Sequence, residues 1–376
     1  LMRRASPEQV KAFTIGFVNK DFDEAAQAAK TAQALGVEHH VILLTEDEML
    51  ASCDEAVTAL DQPSIDGINT FYISRAVKKA GITVALSGLG GDEAFCGYAH
   101  FRTVPRLERF AQRWARVPSG LRRIGVSLLG NKRSDRAAKL RAMAANDYGF
   151  AHPYFLARTL FLPDQIAGLF EPEAICSTDA APWATRLQQT LARAAQLDPV
   201  NRISYFEYKT YIPNTLLRDA DVMSMAHALE VRVPLLDHLL LEDVMRLPGN
   251  LKLNGRQAKS LLVRSLPEPL PTGVTKGIKR GFTLPFADWL PGQLRTEVET
   301  TFAHQPPALE GVVNRDGVNA IWRAFLAGEC SWTRPWALYV LYRTVENLLR
   351  PQSTPERGRE PVTRTNPPSS SEMVLA

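Results

Sequence analysis

An α/β fold, with a parallel doubly wound sheet leading into a mostly helical part, is what this 376-residue sequence predicts. Three observations carry the prediction. Residues 11–86 read strand, helix, strand, helix, helix, strand, an order that joins parallel strands through crossovers. Residues 82–86 (Ile-Thr-Val-Ala-Leu) form a β-branched, apolar run with no polar alternation, the pattern of a strand buried on both faces. Beyond residue 101 the character is helical throughout.

Residues 11–18 (KAFTIGFV) read as the first strand, and the alanine-rich stretch 23–35 as a helix closed by Gly36. Residues 39–44 (HHVILL) are strand again. Residues 45–60 look helical, Asp61-Gln62-Pro63-Ser64 breaks the pattern, and 65–80 is helical up to the strand that begins at Ile82. That strand stops at Ser87. Gly88, Gly90, Gly91 and Gly97 then free the backbone to turn, with the adjacent acids Asp92 and Glu93 inside the turn. Two readings stand side by side: an ordinary β-turn, or a ligand loop at the C-terminal end of a parallel strand, its amides toward a phosphate and Asp92 holding Mg2+. The pattern is neither GxGxxG nor GxxxxGK[ST].

In the helical part, Arg102, Arg106, Arg109, Arg113 and Arg116 recur at alternating spacings of four and three, opposite Leu107, Phe110, Trp114 and Val117. The reading is a solvated face over a core-facing stripe, with contact to acidic lipid or a partner domain as the alternative. The basic stretch 121–141 reads as a surface connection, and Pro153, Pro163, Pro172 and Pro182 as breaks between further helices. Residues 351–376, rich in Pro, Ser, Thr, Arg and Glu, read as a disordered tail.

Two more stretches concentrate charge. In residues 205–237, Asp219, Asp221, Glu230, Arg232 and Asp237 sit among large apolar residues, where a buried charge needs a partner or a substrate. Pro234 restricts Val233 and favours an extended segment, which puts Glu230 and Arg232 on one face. An internal ion-pair network is the competing explanation. In residues 275–290, Lys276, Lys279 and Arg280 lie around Gly277 and Gly281, either a basic surface loop or a flexible one that closes over phosphates.

Composition narrows the class. At 45% hydrophobic and a net charge of +4, the chain is globular without the strong basic excess that would point to nucleic acid. No signal peptide or membrane span is readable, so a cytoplasmic location is expected and integral membrane contact is not. Cys53, Cys96, Cys176 and Cys330 lack zinc-ligand spacing and read as reduced thiols.

Residues 87–98 (SGLGGDEAFCGY) resemble the SG-x-G-[GS]-DE-x-F-x-GY signature of the asparagine synthetase (glutamine-hydrolysing) family. Independent support comes from two further blocks. Asp221, Ser224, Met225, Ala226, Glu230, Arg232, Pro234, Leu236 and Asp237 fit D-x-x-SMA-x-x-x-E-x-R-x-P-x-LD, and Lys279, Gly281, Phe282, Pro285 and Trp289 fit the family's third block. The resemblance covers about residues 13–349. It implies a sheet of the adenine nucleotide α-hydrolase, or PP-loop ATPase, type: a nucleotide-binding core over residues 1–100 and a helical part over 101–350. It also implies an ATP- and Mg2+-dependent ligase that adenylates the side-chain carboxylate of aspartate and lets ammonia displace AMP.

By the same resemblance Ile15, Ser87, Gly88, Gly90 and Gly91 contact ATP, Asp92 carries the metal, Lys279 neutralises departing pyrophosphate, and Glu230 and Arg232 face the substrate. A glutaminase domain supplying ammonia, and an SGG-x-DS phosphate loop, are expected upstream of Leu1; without that loop the chain is expected to bind ATP poorly. A homodimer is among the assemblies the resemblance allows. One departure is Leu89, where many members carry an acid. Either Glu93 or Glu230 covers the acid's role, or the amidated acid is not aspartate, as in relatives that close β-lactam rings. A fold-retaining scaffold without catalysis is the remaining alternative.

Overall fold

The computed structural model describes residues 2–17, 25–118, 121–122, 135–145, 152–175, 182–253, 255, 257–267, 270, 284–349 and 373–375. At its centre is a five-stranded sheet of β1 (Lys11–Phe17), β2 (Glu38–Leu44), β3 (Val84–Leu86), β4 (Glu230–Arg232) and β5 (Met373–Leu375). The order is β2-β1-β5-β3-β4, and every neighbouring pair is parallel. The helix Ala25–Leu35 makes the crossover from β1 to β2, and Gly36 leaves it at φ 63°, the left-handed conformation its lack of a Cβ permits.

The expected helix over 45–60 is two short helices, Glu46–Ala51 and Cys53–Thr58. The first is started by a reciprocal cap: the Thr45 hydroxyl accepts from the Glu48 amide, while the Glu48 carboxylate accepts from the Thr45 amide. Ile68–Lys79 leads back toward β3, which is shorter than the apolar run predicts. Gly81 turns at φ 84° just before it, and Ile82 is buried without joining the ladder.

The prolines mark breaks between helices, as expected, each standing on the far side of its break. Pro153, Pro163, Pro172 and Pro182 each open a helix, as does Pro199, because the first helical position has no intrahelical use for an amide. The arginine-rich helix is His100–Trp114, with Phe101 and Val104 as its buried residues; Phe110, expected to face the core, is 49% exposed. Of the expected tail, residues 351–372 and 376 lie outside the described residues, and Met373–Leu375 is a strand of the sheet.

The largest core cluster joins Ile15 and Leu44 of the sheet to Phe71, Trp289, Trp336 and Tyr342, with the long helix Thr333–Leu349 at its centre. Phe13, Val77, Ile82, Ala85 and Leu229 form a second cluster at β1 and β3. Among the described residues, no helix is long and apolar enough to cross a membrane.

Candidate functional site

The glycine turn and the Glu230–Asp237 block are built against each other. Val84, Ala85 and Leu86 register with Glu230, Val231 and Arg232, and the Ser87 amide extends the ladder by donating to the Arg232 carbonyl at 2.8 Å. Gly90 sits at φ 86°, and a Cβ there would overlap the Leu236 side chain. At Gly91 a Cβ would stand 2.8 Å from Leu235 Cδ1. The glycines therefore let Leu235 and Leu236 press on the turn. Gly97 serves a different neighbour: a Cβ on it would occupy the place of the Asp92 carboxylate, whose backbone carbonyl accepts from the Gly97 amide at 2.8 Å.

Asp92 meets a cation that sequence reasoning missed. Lys259 Nζ lies 3.3 Å from Asp92 Oδ2, and the Lys259 backbone is held at φ 51°, unusual for a side chain with a Cβ. Arg102 pins the segment leading to it, donating to the carbonyls of Gly255 at 3.3 Å and Gln257 at 3.0 Å. So one residue of the arginine helix is committed to a loop beside the turn. Nothing in the local sequence Gln257-Ala258-Lys259-Ser260 announces this, because the signal lies in a left-handed backbone and a long-range pair.

Glu93 points the other way, into the interior, where it is 1% exposed. The Tyr98 hydroxyl donates to it at 2.7 Å. Burial pushes the Glu93 carboxyl above the usual range, with Glu207 and Asp92 adding to the effect and the Tyr98 bond opposing it. Beyond Tyr98, Arg158 donates to both oxygens of the fully buried Glu207 at 2.7 Å, and its guanidinium lies 3.8 Å from the centre of the Tyr211 ring. His100 Nε2 stands 2.8 Å from Glu207, and Tyr211 donates to Asp66 at 3.1 Å.

Of the five charges expected among apolar residues of 205–237, only Asp219 is buried; Asp221, Glu230, Arg232 and Asp237 are exposed. Glu230 and Arg232, two residues apart on β4, lie on one face, where both are exposed and pair at 2.8 Å. Asp237 caps the helix His238–Arg246 by accepting from the Leu239 and Leu240 amides. Ile15 is 7% exposed and packed in the main core, Gly88 is exposed, and Leu89 is half-buried. Lys276, Lys279, Arg280, Gly281 and Phe282 lie outside the described residues. Trp289 of the same block is wholly buried, its indole N–H donating to Glu46.

Asp219 accepts from the Ser64 hydroxyl at 2.6 Å, and burial pushes its carboxyl from 3.8 up to about 6, with Asp66 and Asp61 adding repulsion and Ser64 and Arg218 opposing it. Because the folded value is the higher one, the protonated form is favoured in the fold. Its stabilising share is full below pH 3.8 and is lost as the pH rises through about 6. Asp219→Asn is expected to gain about 2 kcal/mol of stability at pH 8 relative to its effect at pH 4. Urea midpoints of both proteins at the two pH values check this.

The asparagine synthase family model matches residues 1–346. The chain belongs to the asparagine synthase family. A putative glutamine-hydrolyzing asparagine synthetase of Mycobacterium tuberculosis is 30% identical over 286 residues, 74% of this chain and 41% of the relative. Asparagine synthetase 1 of Bacillus subtilis is 27% identical over 321 residues, 82% of this chain and 47% of its own length. An amidase of Penicillium rubens is 28% identical over 275 residues, 66% of this chain and 38% of the relative. The chain thus spans less than half the length of these asparagine synthase relatives.

Proposed function

We propose that this chain is the synthetase part of an asparagine synthetase-type ligase, which activates the side-chain carboxylate of aspartate with ATP and yields asparagine from the aspartyl adenylate and ammonia. The observation that carries the reading is the joint of the two motif blocks. Ser87 donates to Arg232, and Leu236 presses on Gly90, so the glycine turn with Asp92 and Arg232 share the C-terminal end of β3 and β4, with Glu230 at the start of β4 and paired to Arg232. Ligands bind at that end of open parallel sheets, and the doubly wound arrangement is part of the proposal.

The groups at the turn suit a nucleotide and its metal. Gly88, exposed and with open space around it, gives close approach, and the Asp92 side chain, 21% exposed and beside Lys259, joins an anionic oxygen donor to a cation. Mg2+ held there by Asp92 would neutralise charge on the departing pyrophosphate. Lys279 is assigned the same task from the loop side, and Lys259 is added as a second ammonium group for phosphate oxygens. Ser87, Gly88, Gly90 and Gly91 form the nucleotide's wall, with Ile15 beneath as part of the core. Glu230 and Arg232 orient the acid, Arg232 offering a planar fork to a carboxylate. With Glu93 buried under Tyr98, Glu230 is the better-placed acid to take over from Leu89.

Ammonia from glutamine would come from a separate glutaminase domain, and residues 1–350 would act as one synthetase unit. A related amidotransferase acting on another acid is the second reading, favoured by Leu89 and by the amidase-named relative. The test is AMP release over a panel of carboxylic acids, in a chain that includes the reading frame upstream of Leu1. Aspartate is expected to trigger AMP formation, and Lys279→Ala to lower it by orders of magnitude. AMP formation with another acid alone would replace aspartate by the second reading. An unchanged rate in Lys279→Ala would remove that residue's role.

A further inference from the structure

We infer that a cavity of about 560 Å3, between the helix His100–Trp114 and the start of the helix Pro199–Lys209, is a second binding site. Its ligand is a small zwitterion with an apolar body, of amino-acid to dipeptide size. The volume lies in the range of small-molecule sites, about 300–1,000 Å3. Gly249 and Asn250, at the start of the short helix Gly249–Lys252, complete the lining. None of the lining residues belongs to the candidate site around Asp92.

The ligand's class follows from which charges of the lining are already committed. Arg109 is exposed, and its Nε donates at 3.3 Å to the Pro105 carbonyl one turn back in the same helix. Among the described residues its two terminal nitrogens have no partner, which leaves a planar fork for a carboxylate. Asp198, from the other helix, is exposed as well. Its oxygens accept from the amides of Val200, Asn201 and Gly249 and from the Asn201 side chain, all uncharged donors, at 2.7–3.2 Å. The buried Lys252 ammonium is bonded to Asn201 instead. An ammonium group is therefore the partner that Asp198 lacks. Glu108 and Arg202, the other charged couple at the cavity, pair with each other and add no net charge. Pro105, Pro199, Val200 and Leu253 supply apolar surface for the ligand's body. A polyphosphate is disfavoured, because Asp198 and Glu108 would repel it.

The cavity also stands at the root of the segment that carries Lys259. Asp198 holds the Gly249 amide at 3.2 Å, and Asn201 donates to the Leu247 carbonyl at 2.9 Å, so the segment starts fixed to the helix Pro199–Lys209. Further along it is held by Arg102, which donates to the Gly255 and Gln257 carbonyls from the same helix as Arg109. A ligand bridging Arg109 and Asp198 ties together the two helices that hold this segment, and with it the residue beside Asp92. Binding in the cavity does not depend on what the Asp92 turn does.

The probes are L-leucine and L-alanyl-L-leucine, titrated calorimetrically into the full chain without nucleotide. At least one should bind saturably, and its N-acetyl and C-amide forms, each short of one charge, about tenfold or more weakly. Arg109→Gln should bind the unblocked compound no more tightly than the wild type binds the amide. Asp198→Asn, which keeps an acceptor for the helix cap, should bind it no more tightly than the wild type binds the N-acetyl form. Arg109 bonds only within its own helix, so its replacement leaves the fold intact. No binding at millimolar concentration, equal affinity for charged and blocked forms, or unchanged affinity in Arg109→Gln would overturn the inference. On saturation, hydrogen exchange of the amides of residues 257–259 should slow several-fold, and unchanged exchange there would overturn the link to Lys259.

Discussion

Gly97→Ala is expected to abolish metal-dependent activity at the glycine turn while leaving a folded protein. A Cβ at this position coincides with the Asp92 carboxylate and also stands 3.0 Å from the Asp92 Cα, so turning the side chain away relieves only part of the overlap. The carboxylate has to leave its place beside Lys259, and the Gly97 amide that donates to the Asp92 carbonyl has to shift with it. Overpacking of this kind costs about 1–3 kcal/mol of stability. The larger effect falls on chemistry, because displacing a charge-bearing group by an ångström lowers a rate by about 100-fold or more. AMP release and urea unfolding of the variant, measured together, separate the two effects. Wild-type activity in Gly97→Ala would show that Asp92 is not where the reaction needs it.

The largest effect on stability is expected from Arg158→Met. Glu207 has no exposed surface, and Arg158 satisfies both of its oxygens. Removing the guanidinium leaves a buried carboxylate with His100 beside it and takes a cation from the Tyr211 ring. Breaking one side of a buried pair costs about 3–5 kcal/mol, most of it from the stranded charge. Adding Glu207→Gln should therefore restore part of the loss, although each change alone is harmful. A double-mutant cycle in urea checks this, and a loss below about 1 kcal/mol in the single variant would mean that the pair is not desolvated.

Much of the scaffold is legible in the residues themselves, for local reasons. β1 and β2 carry short β-branched and apolar stretches, Gly36 suits the left-handed end of a helix, and Pro234 restricts Val233 and so favours an extended segment at Glu230–Arg232 before any partner strand is known. What escapes the sequence is set by distant partners. Glu207, Arg158 and His100 come from three separate helices, and no spacing links them. Lys259 meets Asp92 from a loop that Arg102 also holds, and neither contact is local in sequence. The prolines mark the breaks but not on which side of them the helix lies, because one property, the missing amide, both ends a helix and suits its first residue. The sheet position of the three apolar residues Met373–Leu375 is one that composition cannot foresee.

The central claim is that the glycine turn and the Glu230–Arg232 block form a single site for a nucleotide and its metal, with Asp92 as the metal's ligand. Calorimetric titration of ATP, with and without Mg2+, into a chain that includes the reading frame upstream of Leu1 tests this most directly. The wild type should bind ATP tightly only with Mg2+, and Asp92→Asn should lose the dependence on Mg2+. Equal Mg2+-dependent binding by both proteins would contradict it.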